Sequence, residues 1–192
     1  MSQPTRNRIF AAARDLFDRE GLDGISMRRI AEAVALTPMA IYRHYADKEA
    51  LIDALMLDGF AVWEARVAAI AEDDPVAWLQ RLGDAFLDFA LTEPRRYEAA
   101  FLLPARGARR YPGDFAAGRS PAVEMLQARV AQAIARGAMG GASVLEIALN
   151  IAALAQGLVS MYRAGRFESE AAFRAAYARA MAHCLMSYRR AA

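Results

Sequence analysis

Helical periodicity runs through almost the whole chain, and no alternating strand pattern of useful length interrupts it. This restricts the fold to helices packed on helices. Ile9, Ala12, Ala13, Leu16 and Phe17 give the plainest case. They recur at i, i+3, i+4, i+7 and i+8 and share one face of a helix over about 5–20. Composition supports the same reading. Alanine, the best helix former, makes up about a quarter of the 192 residues, and β-branched residues are few. With 56% hydrophobic and 24% charged residues, the chain can fill a core without a disordered polar tract. Its 7 prolines and 12 glycines fall as punctuation rather than in runs.

That punctuation divides the chain into about nine helices. Gly21 ends the first. Ser26 caps a second, Met27 to Val34, with Ile25 and Ile30 at the spacing of a hydrophobic staple. Thr37 caps a third, Pro38 to Tyr45, with proline at the first position, where a missing N–H costs nothing. Leu36 and Ile41 repeat the staple. Asp47 caps a fourth that runs to about Ala71. Asp74-Pro75 opens a fifth and Glu93-Pro94 a sixth. Pro104 to Gly118 reads as a loop, with Arg106, Arg109 and Arg110 able to gate a pocket, to bind an anionic ligand or to stay solvated. Ser120-Pro121 opens a seventh helix. The capping box from Ser143 to Glu146 opens an eighth, which Gly165 ends, and Ser169 opens a ninth to about Arg189.

Charge and cysteine content exclude several function classes. The net charge is +2, so any nucleic-acid partner requires a local patch. A single cysteine, Cys184, rules out an intrachain disulfide. Two histidines and one cysteine argue against a His/Cys metal centre, and no cofactor is expected. There is no paired nucleophile and base and no phosphate-cradling glycine loop, so an enzyme is not expected. The apolar run Ile147–Tyr162 falls short of the roughly 20 residues a membrane span needs, and it carries Asn150, Gln156 and Ser160. No signal-type stretch follows Met1. A soluble cytoplasmic protein without a membrane partner is the expectation.

The helices 27–34 and 38–45, short, separately capped and closely joined, read as a helix-turn-helix. A DNA major groove admits one helix, whose leading residues meet base edges and whose flanks meet phosphates. Ile41 and Tyr45, four apart, pin the second helix inward. Pro38 leads it, while Met39, Ala40 and Arg43 face outward. Tyr42 lies on the flank, where its hydroxyl reaches a phosphate. His44 and Lys48 follow with one conditional and one fixed positive charge. Ser26 and Thr37 put helix N-termini where anions are favoured, and Arg28 can reach a guanine or the backbone. Charge alone argues weakly, since residues 1–50 hold eight Lys/Arg against seven Asp/Glu. A capped pair of this spacing can also serve packing alone.

Residues 30–37, Ile-Ala-Glu-Ala-Val-Ala-Leu-Thr, are followed by Ala40-Ile41-Tyr42-Arg43-His44-Tyr45 and Asp47-Lys48-Glu49-Ala50-Leu51. Over about 6–55 this sequence resembles the N-terminal signature of TetR-family transcriptional regulators. The resemblance implies an all-α fold, with a three-helix helix-turn-helix domain over 1–46 and a helical ligand-binding and dimerisation domain over 47–192. It implies a homodimer on a pseudo-palindromic double-stranded operator, paired through the eighth and ninth helices, and repression relieved by a small molecule. It aligns Pro38, Met39, Ala40 and Arg43 with base-contacting positions. Tyr42, His44 and Lys48 align with phosphate-contacting positions, and Arg28 with an occasional base reader. Ala35 departs from the pattern where glycine is usual. If that residue is left-handed, alanine costs roughly 1 kcal/mol there. Activation, or action through protein contacts, uses the same DNA head and stays open.

The rest of the chain resembles the family loosely. Phe60, Trp63, Phe86, Phe89, Tyr97, Phe101, Met125 and Met161 are candidate pocket residues, although such stripes more often build core. Asn150 and Gln156 stand in an otherwise apolar helix and are candidates to touch a ligand or to bond within the core or across a dimer. Apart from Glu64 or Glu146, no acidic residue falls on an apolar stripe. A cationic effector is therefore not favoured, and a largely apolar or neutral one is expected.

Overall fold

The computed structural model describes residues 3–117 and 121–190. Its described residues form ten α-helices and one 3-10 turn. The helices are α1 (Gln3–Glu20), α2 (Met27–Ala33), α3 (Pro38–Tyr42), α4 (Lys48–Ala68), α5 (Pro75–Thr92), α6 (Pro94–Phe101), α7 (Gly113–Ala116), α8 (Pro121–Ala135), α9 (Val144–Arg163) and α10 (Glu170–Ser187). The eighth and ninth helices expected from sequence are therefore α9 and α10. The tenth is the single turn α7, inside the segment expected to be loop. Four residues carry no periodicity, and the turn is held locally by the Asp114 carboxylate, which accepts the Arg110 N–H at 2.7 Å. The expected Ser120 cap of α8 lies outside the described residues.

The chain forms two compact units, Met1–Trp63 with Glu93–Ala108, and Glu64–Thr92 with Arg109–Ala192. In the first, Ile9, Ala13, Leu16 and Phe17 of α1 are buried with Ile25, Ile30, Ile41, Tyr45, Leu51 and Leu55. Burying each large aliphatic contributes on the order of 1.5–3 kcal/mol. The segment after Thr92 completes this core with Ala99, Leu103 and Ala105. It packs tightly on α4. A methyl at Gly59 would stand 2.7 Å from the Arg96 carbonyl oxygen and 2.9 Å from the Ala100 nitrogen.

In the second unit, α5 buries Trp78, Leu79, Phe86 and Phe89. The helix α10 buries Phe173, Tyr177, Met181 and Leu185. The Tyr177 hydroxyl donates to the Gly83 carbonyl at 3.0 Å, and a methyl at Gly83 would stand 3.1 Å from Met181 Cε. Tyr162 and Phe173 stack at 4.3 Å between centroids. The capping box expected at α9 is present, with Glu146 N–H donating to Ser143 Oγ and Ser143 N–H to Glu146. The helix α9 has a mean hydropathy of 1.7, and only 28% of its apolar window is buried within the chain.

Candidate nucleic-acid interface

The helix-turn-helix is set by its caps and its turn. Ser26 Oγ accepts the Arg29 N–H at 3.1 Å, and Thr37 Oγ1 accepts the Ala40 N–H at 3.3 Å. Both hydroxyl protons remain available for donation outward. Between the caps, Ala35 N–H donates to Glu32 O at 3.2 Å and Leu36 N–H to Ala31 O at 2.9 Å. This is a Schellman ending, and it forces Ala35 to a φ of 54°. The strained alanine weighed from sequence is real. Arg8, from α1, donates to the Val34 carbonyl at 2.9 Å and so satisfies an open carbonyl at the end of α2.

The helix α3 is shorter than the expected 38–45. Arg43 keeps helical dihedrals, but His44 N–H turns back to Ile41 O at 2.8 Å, which tightens the last turn. The inward pins stand as expected, with Ile41 at 0% and Tyr45 at 5% exposure. The Arg6 guanidinium lies 5.1 Å over the Tyr45 ring. On the outer side, Met39 is 71% exposed and Tyr42 47%. Pro38 and Arg43 are also exposed, whereas Ala40, His44 and Lys48 are half-buried. His44 Nδ1 is shielded and has no partner among the described residues.

The head's few cations are unequally committed. Arg29 is fastened to Glu20 and to the Gly24 carbonyl, and its guanidinium hydrogen bond holds the Glu20 carboxyl below the usual range. Arg28 meets Glu32 at 3.0 Å, an exposed i,i+4 pair of only about 0.3–0.5 kcal/mol, which a phosphate or guanine can displace. Arg43 and Lys48 have no ion-pair partner among the described residues. A near-neutral head thus presents unneutralised charge beside α3.

One feature of this unit left no local signal in the sequence. Asp47 Oδ1 accepts the Ala50 N–H at 2.8 Å and also a guanidinium N–H of Arg106, while Gly107 N–H donates to Asp53 at 3.0 Å. The Ala50 N–H first, and then Arg106, hold the Asp47 carboxyl below its ordinary value. The start of the expected loop is therefore fastened to α4. Only a partner far along the sequence reveals it.

The ten candidate ligand residues are distributed over both units. In the first, Phe101 contacts Phe60 at 5.3 Å, Tyr97 at 5.5 Å and Trp63 at 5.9 Å, measured between centroids. In the second, Phe86 and Phe89 are buried, and Arg66 lies 5.5 Å over Phe89. Asn150 is exposed and donates to the Tyr188 hydroxyl at 2.6 Å. Gln156 is half-buried, and Met161 is 49% exposed. Met125 lines an open groove of about 590 Å³ with Glu64, Ala68, Glu124 and Ala128.

Residues 9–55 match the family model of bacterial regulatory proteins, tetR family. Residues 79–185 match that of the tetracyclin repressor-like C-terminal domain. The HTH-type transcriptional regulator UidR of Escherichia coli (strain K12) is 45% identical over 56 residues, 29% of this chain and 29% of that protein. The tetracycline repressor protein class A from transposon 1721, from Escherichia coli, is 28% identical over 113 residues, 59% of this chain and 47% of that protein. The matches thus span less than half the length of these curated relatives. The crystal structure of a regulator from Pectobacterium atrosepticum superposes with a TM-score of 0.72 at 25% identity, covering 98% of this chain and 96% of that one.

Proposed function

Because the chain belongs to the tetR family of bacterial regulatory proteins, and is on that ground a DNA-binding transcriptional regulator rather than an enzyme, we propose that it is a cytoplasmic repressor released from its operator by a small molecule. The observation that carries the DNA reading is α3 itself. Thr37 caps it and Ile41 and Tyr45 hold it, so Pro38, Met39, Tyr42 and Arg43 remain at the surface. In this reading Pro38, Met39, Ala40, Arg43 and Arg28 read base edges. Tyr42, His44, Lys48, Ser26 and Thr37 hold phosphates. Met39 and Ala40 donate no side-chain hydrogen bond, so specificity leans on the two arginines, on thymine methyls and on duplex shape.

The working form is a homodimer paired through α9 and α10, each protomer reading one half of a pseudo-palindrome. The exposed apolar side of α9 supports this, since an isolated protomer leaves most of that helix uncovered. Residues 1–46 serve as the DNA head and 47–192 as the effector and dimerisation part. The effector is a small, largely apolar or neutral molecule. The two heads need centres about 34–36 Å apart, or a multiple of that, to share one DNA face. Lys48–Trp63 of α4 lies in the first unit and Glu64–Ala68 in the second. An effector that turns this helix spoils the spacing.

Selection of sites from a random duplex pool by the ligand-free protein tests the reading, and enrichment of a pseudo-palindrome is expected. On that site Lys48→Ala should lower the salt slope by about one, and Tyr42→Phe should weaken binding evenly across sequences. Unchanged binding in both variants would remove these residues from the phosphate contacts.

A further inference from the structure

We propose that Arg106, which lies outside the helix-turn-helix, is a positioning residue for DNA: it covers the Asp47 carboxylate and so keeps the leading end of α4 from repelling the phosphate that Lys48 holds. The proposal rests on the phosphate reading of Lys48 above and adds to it a residue from beyond α6. The sequence at this end of α4 is adverse to DNA. Residues 47–53 hold three carboxylates, Asp47, Glu49 and Asp53, and a single cation, Lys48. Asp47 directly precedes Lys48, and the helix depends on it. Its Oδ1 caps α4 by accepting the Ala50 N–H at 2.8 Å. Negative charge at a helix N-terminus favours the helix. Beside a phosphate contact the same charge is repulsive. The cap that suits α4 therefore opposes the duplex.

Arg106 resolves this conflict. It donates a guanidinium N–H to the same Oδ1 that caps the helix. Its backbone is fixed on both sides. Ala105 is buried in the core of the first unit with Leu103. Gly107 N–H donates to Asp53 at 3.0 Å, and a methyl at Gly107 would stand 3.2 Å from Met56 Cε. The Ala50 N–H and then Arg106 hold the Asp47 carboxyl below its ordinary range, so it is ionised at neutral pH and its charge has to be met by a cation. With Arg106 in that place, Lys48 has no ion-pair partner among the described residues. The Asp47 side chain is 41% exposed and that of Arg106 58%. A pair so exposed adds little to stability. Its effect is on the field that an approaching phosphate meets.

The probe is a fluorescein-labelled duplex of random sequence, because phosphate contacts do not depend on sequence. Its binding to the full chain is read by anisotropy at about 50 mM salt. Arg106→Gln keeps a donor but removes the charge. It should weaken binding about fivefold, and the loss should shrink as salt rises. Arg106→Lys, which keeps the charge, should recover most of it. Asp47→Asn keeps the cap and should bind at least as tightly as the unmodified chain. In the Asp47→Asn background, Arg106→Gln should have no further effect. Circular dichroism and the denaturation midpoint check the fold of each variant. Unmodified affinity in Arg106→Gln overturns the proposal. So does a loss that persists in the Asp47→Asn background, which would make Arg106 a phosphate contact or a structural tie. Weaker binding by Asp47→Asn alone overturns it without any change at Arg106. Lys48→Ala is measured beside these variants. Unchanged binding there refutes the phosphate reading and this proposal with it. A loss in Lys48→Ala with none in Arg106→Gln refutes this proposal alone.

Discussion

Replacing Ala35 by glycine should stabilise the protein, and the size of the effect follows from three copies of one motif. The ends of α2, α8 and α9 share the same pair of backbone hydrogen bonds. Ala35 and Leu36 donate to Glu32 and Ala31, Gly137 and Ala138 to Ile134 and Ala133, and Gly165 and Arg166 to Tyr162 and Met161. The left-handed residue is alanine at φ 54° in the first, and glycine at 72° and 67° in the others. An L-residue with a Cβ loses roughly 1–2 kcal/mol in that conformation. Glycine returns about 0.4–1 kcal/mol of this through the greater freedom of its unfolded chain. The net gain from Ala35→Gly is about 0.5–1 kcal/mol, because Ala35 is exposed and its methyl group contributes little packing. At this chain length that amounts to roughly 1–4 °C in Tm. Urea denaturation at fixed protein concentration, with an unchanged m-value, is the assay. Gly137→Ala is the mirror control. Its added methyl meets nothing within 4 Å, so its cost is conformational only. A neutral or destabilising Ala35→Gly, beside a destabilising Gly137→Ala, would refute the reasoning. The turn would then draw on the alanine methyl for something beyond its dihedral.

Tyr177→Phe should cost about 1 kcal/mol, seen as a lower denaturation midpoint, because it removes a buried hydroxyl's bond to Gly83 O. Wild-type stability there would mean the bond is replaced by other contacts. Acid should destabilise the protein in a defined window. Glu20, Asp47 and Glu146 are all held below their ordinary values, by Arg29, by the Ala50 N–H and by Ser143 respectively. Lowered folded values favour folding above about pH 4–5, and the advantage disappears as pH falls through them. Asp84, pushed up by burial, acts in the opposite sense. Melting curves from pH 7 to 3 should therefore fall below about pH 4, and Glu146→Gln should flatten the fall; a level profile would contradict this. Gly157→Leu tests the dimer face. An added side chain there has open space in one protomer, so helix content should persist while sedimentation reports half the mass. An intact dimer would exclude close pairing at this point of α9.

What could be read from sequence was what neighbours within four or five residues decide. The caps Ser26, Thr37, Asp47, Ser143 and Ser169 are all used, because a cap is a bond to a backbone N–H three residues away. The stripe from Ile9 to Phe17 and the pins Ile41 and Tyr45 also stood in plain view. Bonds across long separations did not. Arg8 to Val34, Arg106 to Asp47 and Gly107 to Asp53 depend on how the first unit closes, and no periodicity encodes them. Asn150 illustrates the same limit. A lone amide in an apolar helix suggests burial, yet this helix keeps much of its apolar surface uncovered, and the amide sits exposed beside Tyr188. The four-residue α7 lies below the length at which a helical pattern can be recognised, and α3, whose start its cap announced, ends too soon for its last turn to be read from the sequence.

The contribution of residues 93–108 to the first unit has a consequence for how the protein is made. A ribosome synthesises α1 to α4 before it reaches Glu93. Until then Gly59 lacks the backbone it packs on, Asp47 and Asp53 lack Arg106 and Gly107, and the core lacks Ala99, Leu103 and Ala105. The DNA-facing helix is therefore synthesised early but fully supported late, after the intervening α5 has also been made. A nascent or truncated product ending near residue 63 carries every residue of the recognition surface on an unfinished scaffold. Support of the DNA head is expected to be completed once residue 108 is available, and duplex binding only later, when α9 and α10 have been made and two protomers can pair.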